Sequence, residues 1–297
     1  SRHETDGLEA WSMAGPDDWR CGRSGFEAAL APPLPATPLG AASVLRIDGE
    51  GRARVVSRCD EQGCTLEPAA ADDRLDLVAL DFGFWHYPAL AGDDLSAALL
   101  EQQAQLLTAL QAQPGPPRLL LSPIPVDSVG THGFGGRLQR TGFRYLPPAV
   151  QQALLAGTFV GVVSGLERSL QVAKDLEGAI IRGDRSFPRT PVFQVISGAA
   201  GGSIHTPITS RGNGLIPEIE SEHLGFVRLL VDRDSVDIRV HARVAGRWQE
   251  ASVVLPLVPE LRGEVEPAVT IQPCQGCDPV DAAADGDVVV PRGERPR

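Results

Sequence analysis

An α/β fold is predicted from three features of the chain. Four short apolar runs, at residues 75–83, 118–125, 159–164 and 193–197, stop at Gly, Pro or Ser, as buried strands do when they deliver polar groups at their tips. Helical patterns lie between them, at residues 93–113 and 146–156, and three alternating strands close the globular part at residues 224–254. In α/β proteins ligand and catalytic groups collect at the carboxyl ends of such strands. The chain is therefore organised around Phe159–Val172, where an apolar run ends at Ser164-Gly165 and places Glu167 and Arg168 just beyond.

Residues 1–20 are polar and end in Met13–Arg20, whose Pro16-Asp17 reads as a turn. A Pro/Ala-rich connector follows at 31–43. Val44–Val56 reads as a β-hairpin turning at Asp48-Gly49, with Cys59 and Cys64 bracketing a short loop after it. Leu75–Gly83 is a strongly apolar strand. Asp93-Asp94 caps a helix whose apolar face is Leu95, Leu99, Leu106, Leu107 and Leu110, with glutamines on the other face. Pro114–Pro117 ends it, and it is expected to cover core and carry no chemistry. Strand 118–125 runs into a loop at 127–136. A helix with Pro in its first turn then precedes the central stretch. Strand 193–197 leads into Gly198–Gly202, read as a tight turn, with a backbone N–H cradle for phosphate as the alternative. Residues 203–222 are expected to form a mobile loop. From residue 262 on, Pro, Gly and Asp dominate, so the expectation is one domain over 1–261 and a flexible tail over 262–297.

Hydrophobic residues make up 42% and charged residues 22%, enough for a packed core. Acidic residues outnumber basic ones 38 to 27, which argues against a nucleic-acid surface. No apolar run is long enough to span a membrane. The chain opens Ser-Arg-His-Glu, neither an initiator Met nor a signal peptide, so a processed or truncated chain is expected. Five cysteines fall at 21, 59, 64, 274 and 277. The two close pairs suit local disulfides or a four-thiolate zinc site. Disulfides are favoured because zinc needs the pairs to meet across most of the chain. They imply an oxidising, extracytoplasmic place such as the periplasm, cell surface or bacterial envelope. Cys21 is left over and reads as a buried small hydrophobe.

Several phrases, taken together, resemble the calcineurin-like metallophosphoesterases, the superfamily that includes purple acid phosphatases. The family's Gly-His-x-His segment often continues Ser-Leu-Gln; Gly165, Glu167 and Ser169-Leu170-Gln171 fit, while Leu166 and Arg168 stand at the two histidines. Gly15, Asp18 and Trp19 match its Gly-Asn-His-Asp-aromatic phrase, with Pro16 and Asp17 in place of Asn and His. Asp81 fits the Asp near the end of a family strand, with Trp85 close behind. Ser122-Pro123 stands where the family has His-His-Pro, and Gly130-Thr131-His132-Gly133 matches its Gly-x-His-Gly loop. Ser197-Gly198-Ala199 resembles its Ser-Gly-Ala-Gly phrase, and the last three strands resemble its terminal meander.

The resemblance implies a four-layer αββα sandwich of two mixed sheets flanked by helices. The family's chemistry needs two Fe, Zn or Mn ions about 4 Å apart to make a hydroxide and clamp an in-line displacement. Here Pro16, Ser122, Leu166 and Arg168 replace ligands, and a fixed cation at 168 would repel a metal. The implied pocket residues are Asp17, Asp18, Ser122, His132, Glu167 and Arg168. The leading expectation is a pseudoenzyme with no bound metal, serving as a binding or scaffolding module for a protein or small anion, with Arg168 and Gly198–Gly202 facing the anion. An active metal-dependent phosphoesterase with other ligands, and an envelope assembly protein using the cysteines and tail, are the alternatives.

Overall fold

The computed structural model describes residues 11–12, 37–38, 42–60, 63–86, 93–130, 143–176, 192–198, 217–257 and 268–273. Among them the fold is mixed α/β and mostly sheet, with two α-helices. The chain divides into two compact units, Ser1–Pro116 and Pro117–Arg297. No helix among the described residues is long and apolar enough to cross a membrane.

In the first unit, β1 (Trp11–Ser12) pairs in parallel with β2 (Thr37–Pro38). The expected hairpin is β3 (Ala42–Asp48) and β4 (Ala53–Val55). Asp48 makes the turn by accepting the Glu50 and Arg52 N–H groups on Oδ1 and the Arg52 guanidinium on Oδ2, at 2.9, 3.0 and 2.8 Å. Those bonds hold its carboxyl below the usual carboxylate range, the Arg52 side chain contributing most. The loop after the hairpin is itself a hairpin, β5 (Ser57–Asp60) and β6 (Gly63–Leu66), in which Cys59 faces Cys64 across the ladder. The two sulfurs form a disulfide. Cysteine-to-serine replacement of both should lower the unfolding free energy by about 2 kcal/mol, the loop-closure value for so short a ring. Urea unfolding of the oxidised protein and of the double variant checks this.

β7 (Asp73–Leu80) runs antiparallel to β3, pairing Val44 with Val78 and Arg46 with Asp76. Arg46 is buried in this pairing. Its guanidinium donates to both Asp76 oxygens at 2.7 and 3.0 Å, to the Glu67 carbonyl at 3.0 Å and to Asp73 at 3.5 Å. The bidentate geometry matches the guanidinium fork to the carboxylate and raises the Arg46 pKa, the Asp76 hydrogen bond being the largest cause.

Helix α1 (Asp93–Ala112) packs on β3 and on the disulfide hairpin. Its buried seam is Gln103, Leu106, Leu107 and Leu110, with Leu95 and Leu99 only half-buried. One glutamine thus departs from the polar face read from the sequence. Gln103 points inward, where its amide donates to the carbonyl of Asp81 just beyond the end of β7.

The second unit contains β8 (Arg118–Ser122), helix α2 (Pro148–Leu155), β9 (Gly161–Ser164), β10 (Leu170–Ala173), β11 (Phe193–Ser197) and β12 (Ile219–Ser221). The strand order is β12-β10-β11-β9-β8, a mixed sheet. β8, β9 and β11 are parallel, and β10 returns antiparallel between β11 and β12. Gly161 is obligatory in β9, because a side chain there would collide with the Phe193 ring. The stretch read as a loop at 203–222 contains β12, and its residues 203–216 lie outside the described residues.

A second, antiparallel sheet is built from β13 (Gly225–Val231), β14 (Ser235–Val244), β15 (Arg247–Pro256) and β16 (Thr270–Pro273). The first three are the alternating strands expected. Strict alternation buries Val236, Ile238, Val240, Ala242 and Val244 on one face. Ala245 and Gly246, both at positive φ (49° and 78°), form the two-residue turn that suits the right-handed twist of the flanking strands. β16 lies inside the stretch read as a tail, where four residues carry too little pattern to mark a strand.

Candidate functional site

The parallel strands of the second unit end together. Ser122, Ser164 and Ile196 are register partners, so the segments after them share one edge of the sheet. That edge holds an unusual density of buried polar side chains: Ser122, Asp127, Ser128, Ser164, Glu167, Ser169, Gln171 and Gln194.

The 123–130 segment is held by amides from two neighbouring strands. The Val126 and Asp127 N–H groups donate to Gln194 Oε1 at 2.8 and 3.3 Å, and Gln194 Nε2 donates back to the Asp127 carbonyl at 2.6 Å. The Val129 N–H donates to Gln171 Oε1 at 3.2 Å, and Gln171 Nε2 donates to Ser169 Oγ at 2.8 Å. Buried backbone groups need such partners where the ladder has ended.

Glu167 occupies the centre. It is fully buried and accepts a hydrogen bond from Ser128 Oγ on Oε1 at 2.7 Å. Its carboxylate lies against Gly130 and its carbonyl abuts Gly198, so a side chain at either glycine would strike Glu167. The backbone is driven into this position by a tight turn in which the Glu167 N–H donates to the Gly165 carbonyl at 2.9 Å. Leu166, the middle residue, sits at φ 66°, a left-handed conformation that costs a non-glycine residue about 1–2 kcal/mol.

Of the residues expected in the pocket, Ser122, Glu167 and Arg168 meet at this edge. Asp17, Asp18 and His132 lie outside the described residues, as do Pro16, Cys21, Ala199–Gly202, Cys274 and Cys277. The Ser122 hydroxyl donates to the Ile124 carbonyl and accepts the Ile124 N–H at 3.2 Å. Arg168 is half-buried. Asp81, in the first unit, is buried and accepts the Gly83 N–H at 2.9 Å. Among the described residues no three His, Cys, Asp or Glu side chains converge as a metal-ligand set. Chemically, the edge offers two buried carboxyl side chains, Asp127 and Glu167, several hydroxyls and fixed amide dipoles, with Arg168 in the adjoining turn.

Sequence reasoning did not name Asp127, Ser128 or Gln194 as pocket residues, and it named Gln171 only within the Ser169-Leu170-Gln171 phrase. The signal for the glutamines was present, since each interrupts an apolar strand at a position that the sheet must bury. No family model matches the chain, and no curated protein matches it.

Proposed function

We propose that this chain is a degenerate calcineurin-like phosphoesterase domain that binds or scaffolds and does not turn over a substrate. The observation that carries the reading is the commitment of the site's side chains to the scaffold. Ser122, at a family ligand position, closes its own loop, and Glu167 is packed between Gly130 and Gly198 and bonded to Ser128. Leu166 supplies no ligand atom, and Arg168 puts a cation where the family seats its ions. The presence of two larger sheets supports the two-sheet part of the proposed αββα sandwich, although the resemblance implies two mixed sheets and the second one here is antiparallel. The Cys59–Cys64 disulfide supports an extracytoplasmic setting, because such bonds persist where the environment oxidises. The partner of this reading is a protein surface or small anion docking at the carboxyl edge beside Arg168.

The test is a metal analysis of the purified protein with an aryl phosphate assay. Substoichiometric transition metal and no turnover after incubation with Fe, Zn or Mn are expected. Two bound ions per chain, with turnover lost on chelation, would overturn the proposal in favour of a working hydrolase.

A further inference from the structure

The second sheet has two faces of opposite character. The alternation that buries Val236, Ile238 and Val240 on one side turns Arg239, His241 and Arg243 to the other. On that side three rings from three adjacent strands form a ledge. Phe226 of β13 stacks on the His241 imidazole of β14 with centroids 4.6 Å apart, and Trp248 of β15 meets Phe226 edge-on at 5.7 Å. The ledge is open to a visitor, because Phe226 is 44% exposed and Trp248 only half-buried.

The charges around the ledge do not balance. Its carboxylates are engaged within the sheet: Asp237 holds Arg239 at 2.8 Å, and Glu250 accepts from Gln272 at 3.0 Å with Arg239 at 3.9 Å and His241 at 3.7 Å. Arg228, on β13, is exposed, and Arg243 is the register partner of Trp248. Among the described residues neither forms an ion pair, and Arg243 Nε is buried with no hydrogen-bond partner. Two uncompensated guanidinium groups beside open rings, in a chain of net charge -11, call for an occupant that is both acidic and apolar.

We propose that this occupant is the chain's own segment 278–290, seated with its aspartates toward Arg228 and Arg243 and its valines over Phe226 and Trp248. The segment lies outside the described residues, and its composition fits: Asp278, Asp281, Asp285 and Asp287, then Val288-Val289-Val290, with no lysine or arginine among them. The exit point fits too. β16 runs antiparallel to β15 and ends at Pro273 opposite Gln249, so the chain leaves the sheet heading for the level of Trp248 and Arg243. β13 is three strand spacings from β16, about 14 Å, and the five residues 274–278 can span about 16 Å. Each exposed ion pair is weak alone. A tether this short supplies an effective concentration of about millimolar, at which several weak contacts hold a segment that would not bind as a separate peptide. The seat does not depend on what the carboxyl edge of the mixed sheet binds.

NMR on the full chain tests this. At an ionic strength of about 0.1 M, nuclear Overhauser contacts are expected between 278–290 and the Phe226 or Trp248 rings. The Arg243 Nε–H and Trp248 indole signals should shift when Asp278, Asp281, Asp285 and Asp287 are all changed to Asn. They should shift the same way at about 1 M salt, where the screening length falls from about 10 to about 3 Å. Asp232→Asn with Asp234→Asn, in the turn between β13 and β14, should leave them in place. Absence of the contacts in wild type would overturn the proposal, as would wild-type signals in the four-Asn variant. Contacts seen only between differently labelled chains in a mixed sample would also overturn it, since the occupant would then be a second copy. The wild-type contacts are read without any variant, so a variant that fails to fold leaves the proposal falsifiable.

Discussion

Replacing Asp76 by Ala is expected to lower the unfolding free energy by about 3–5 kcal/mol, the range for removing one partner of a buried ion pair. The cause is what remains. Arg46 is 2% exposed and cannot lose its charge. With Asp76 gone, its Nε and one terminal nitrogen lose their 2.7 and 3.0 Å acceptors, and Asp73 at 3.5 Å is a poor substitute. Asp73 is also already shared, taking Arg54 at 2.9 Å and the Ala70 N–H at 2.7 Å. Urea unfolding followed by circular dichroism measures the loss. Replacing both Arg46 and Asp76 with apolar residues of similar volume should cost far less than Asp76→Ala, because no buried charge is then left over. A single variant within about 0.5 kcal/mol of wild type would mean that water reaches Arg46.

The second large effect is expected at Gly198. A methyl group there would collide with the Glu167 carbonyl oxygen, a backbone atom that cannot rotate aside. Overpacking of this kind typically costs 1–3 kcal/mol, and a backbone obstruction belongs at about 3 kcal/mol. Gly165, in the adjoining turn, is the control. Nothing lies within 4 Å of its missing side chain and its φ is not positive, so Gly165→Ala should fall within about 0.5 kcal/mol of wild type. Urea midpoints of the two variants separate a specific closeness at Gly198 from a general intolerance of the loop. Equal midpoints would show that the 165–168 turn gives way and that Glu167 is not fixed by its neighbours.

The parts of the fold legible in the sequence are those with a long pattern. Hairpin β3–β4 was marked by Asp48-Gly49, α1 by its leucines, and β13 to β15 by strict alternation over seven to ten residues. The spacing of Cys59 and Cys64 pointed to a local bridge, and the structure forms it. β10, β12 and β16 were not legible, since three or four residues give alternation no room to stand out. Gln103 was misplaced because helical spacing alone does not reveal a backbone acceptor 22 residues away in the chain.

Part of this edge was legible in the sequence. The apolar runs mark where β8, β9 and β11 end, but that Ser122 belongs with Glu167 and Arg168 was implied only by the resemblance. That Glu167 would be buried by a left-handed leucine was not legible, because Leu166 carries no sequence mark of positive φ. Glu167 was read as a group beside a ligand. The structure packs two segments against it, and the residues that meet it, Ser128 and Gly130 in one and Gly198 in the other, could not be read from the sequence.

The two amide clamps on the 123–130 segment have an effect on whatever visits this rim. Gln171 and Gln194 carry no net charge, so ionic strength does not slacken the ties they make to Val126, Asp127 and Val129. A visitor meets a shape already set, with little ordering left to oppose association. For the docking proposed here, residence should therefore vary with salt through the visitor's charges and the charged residues of the rim, Asp127, Glu167 and Arg168, and not through the clamps.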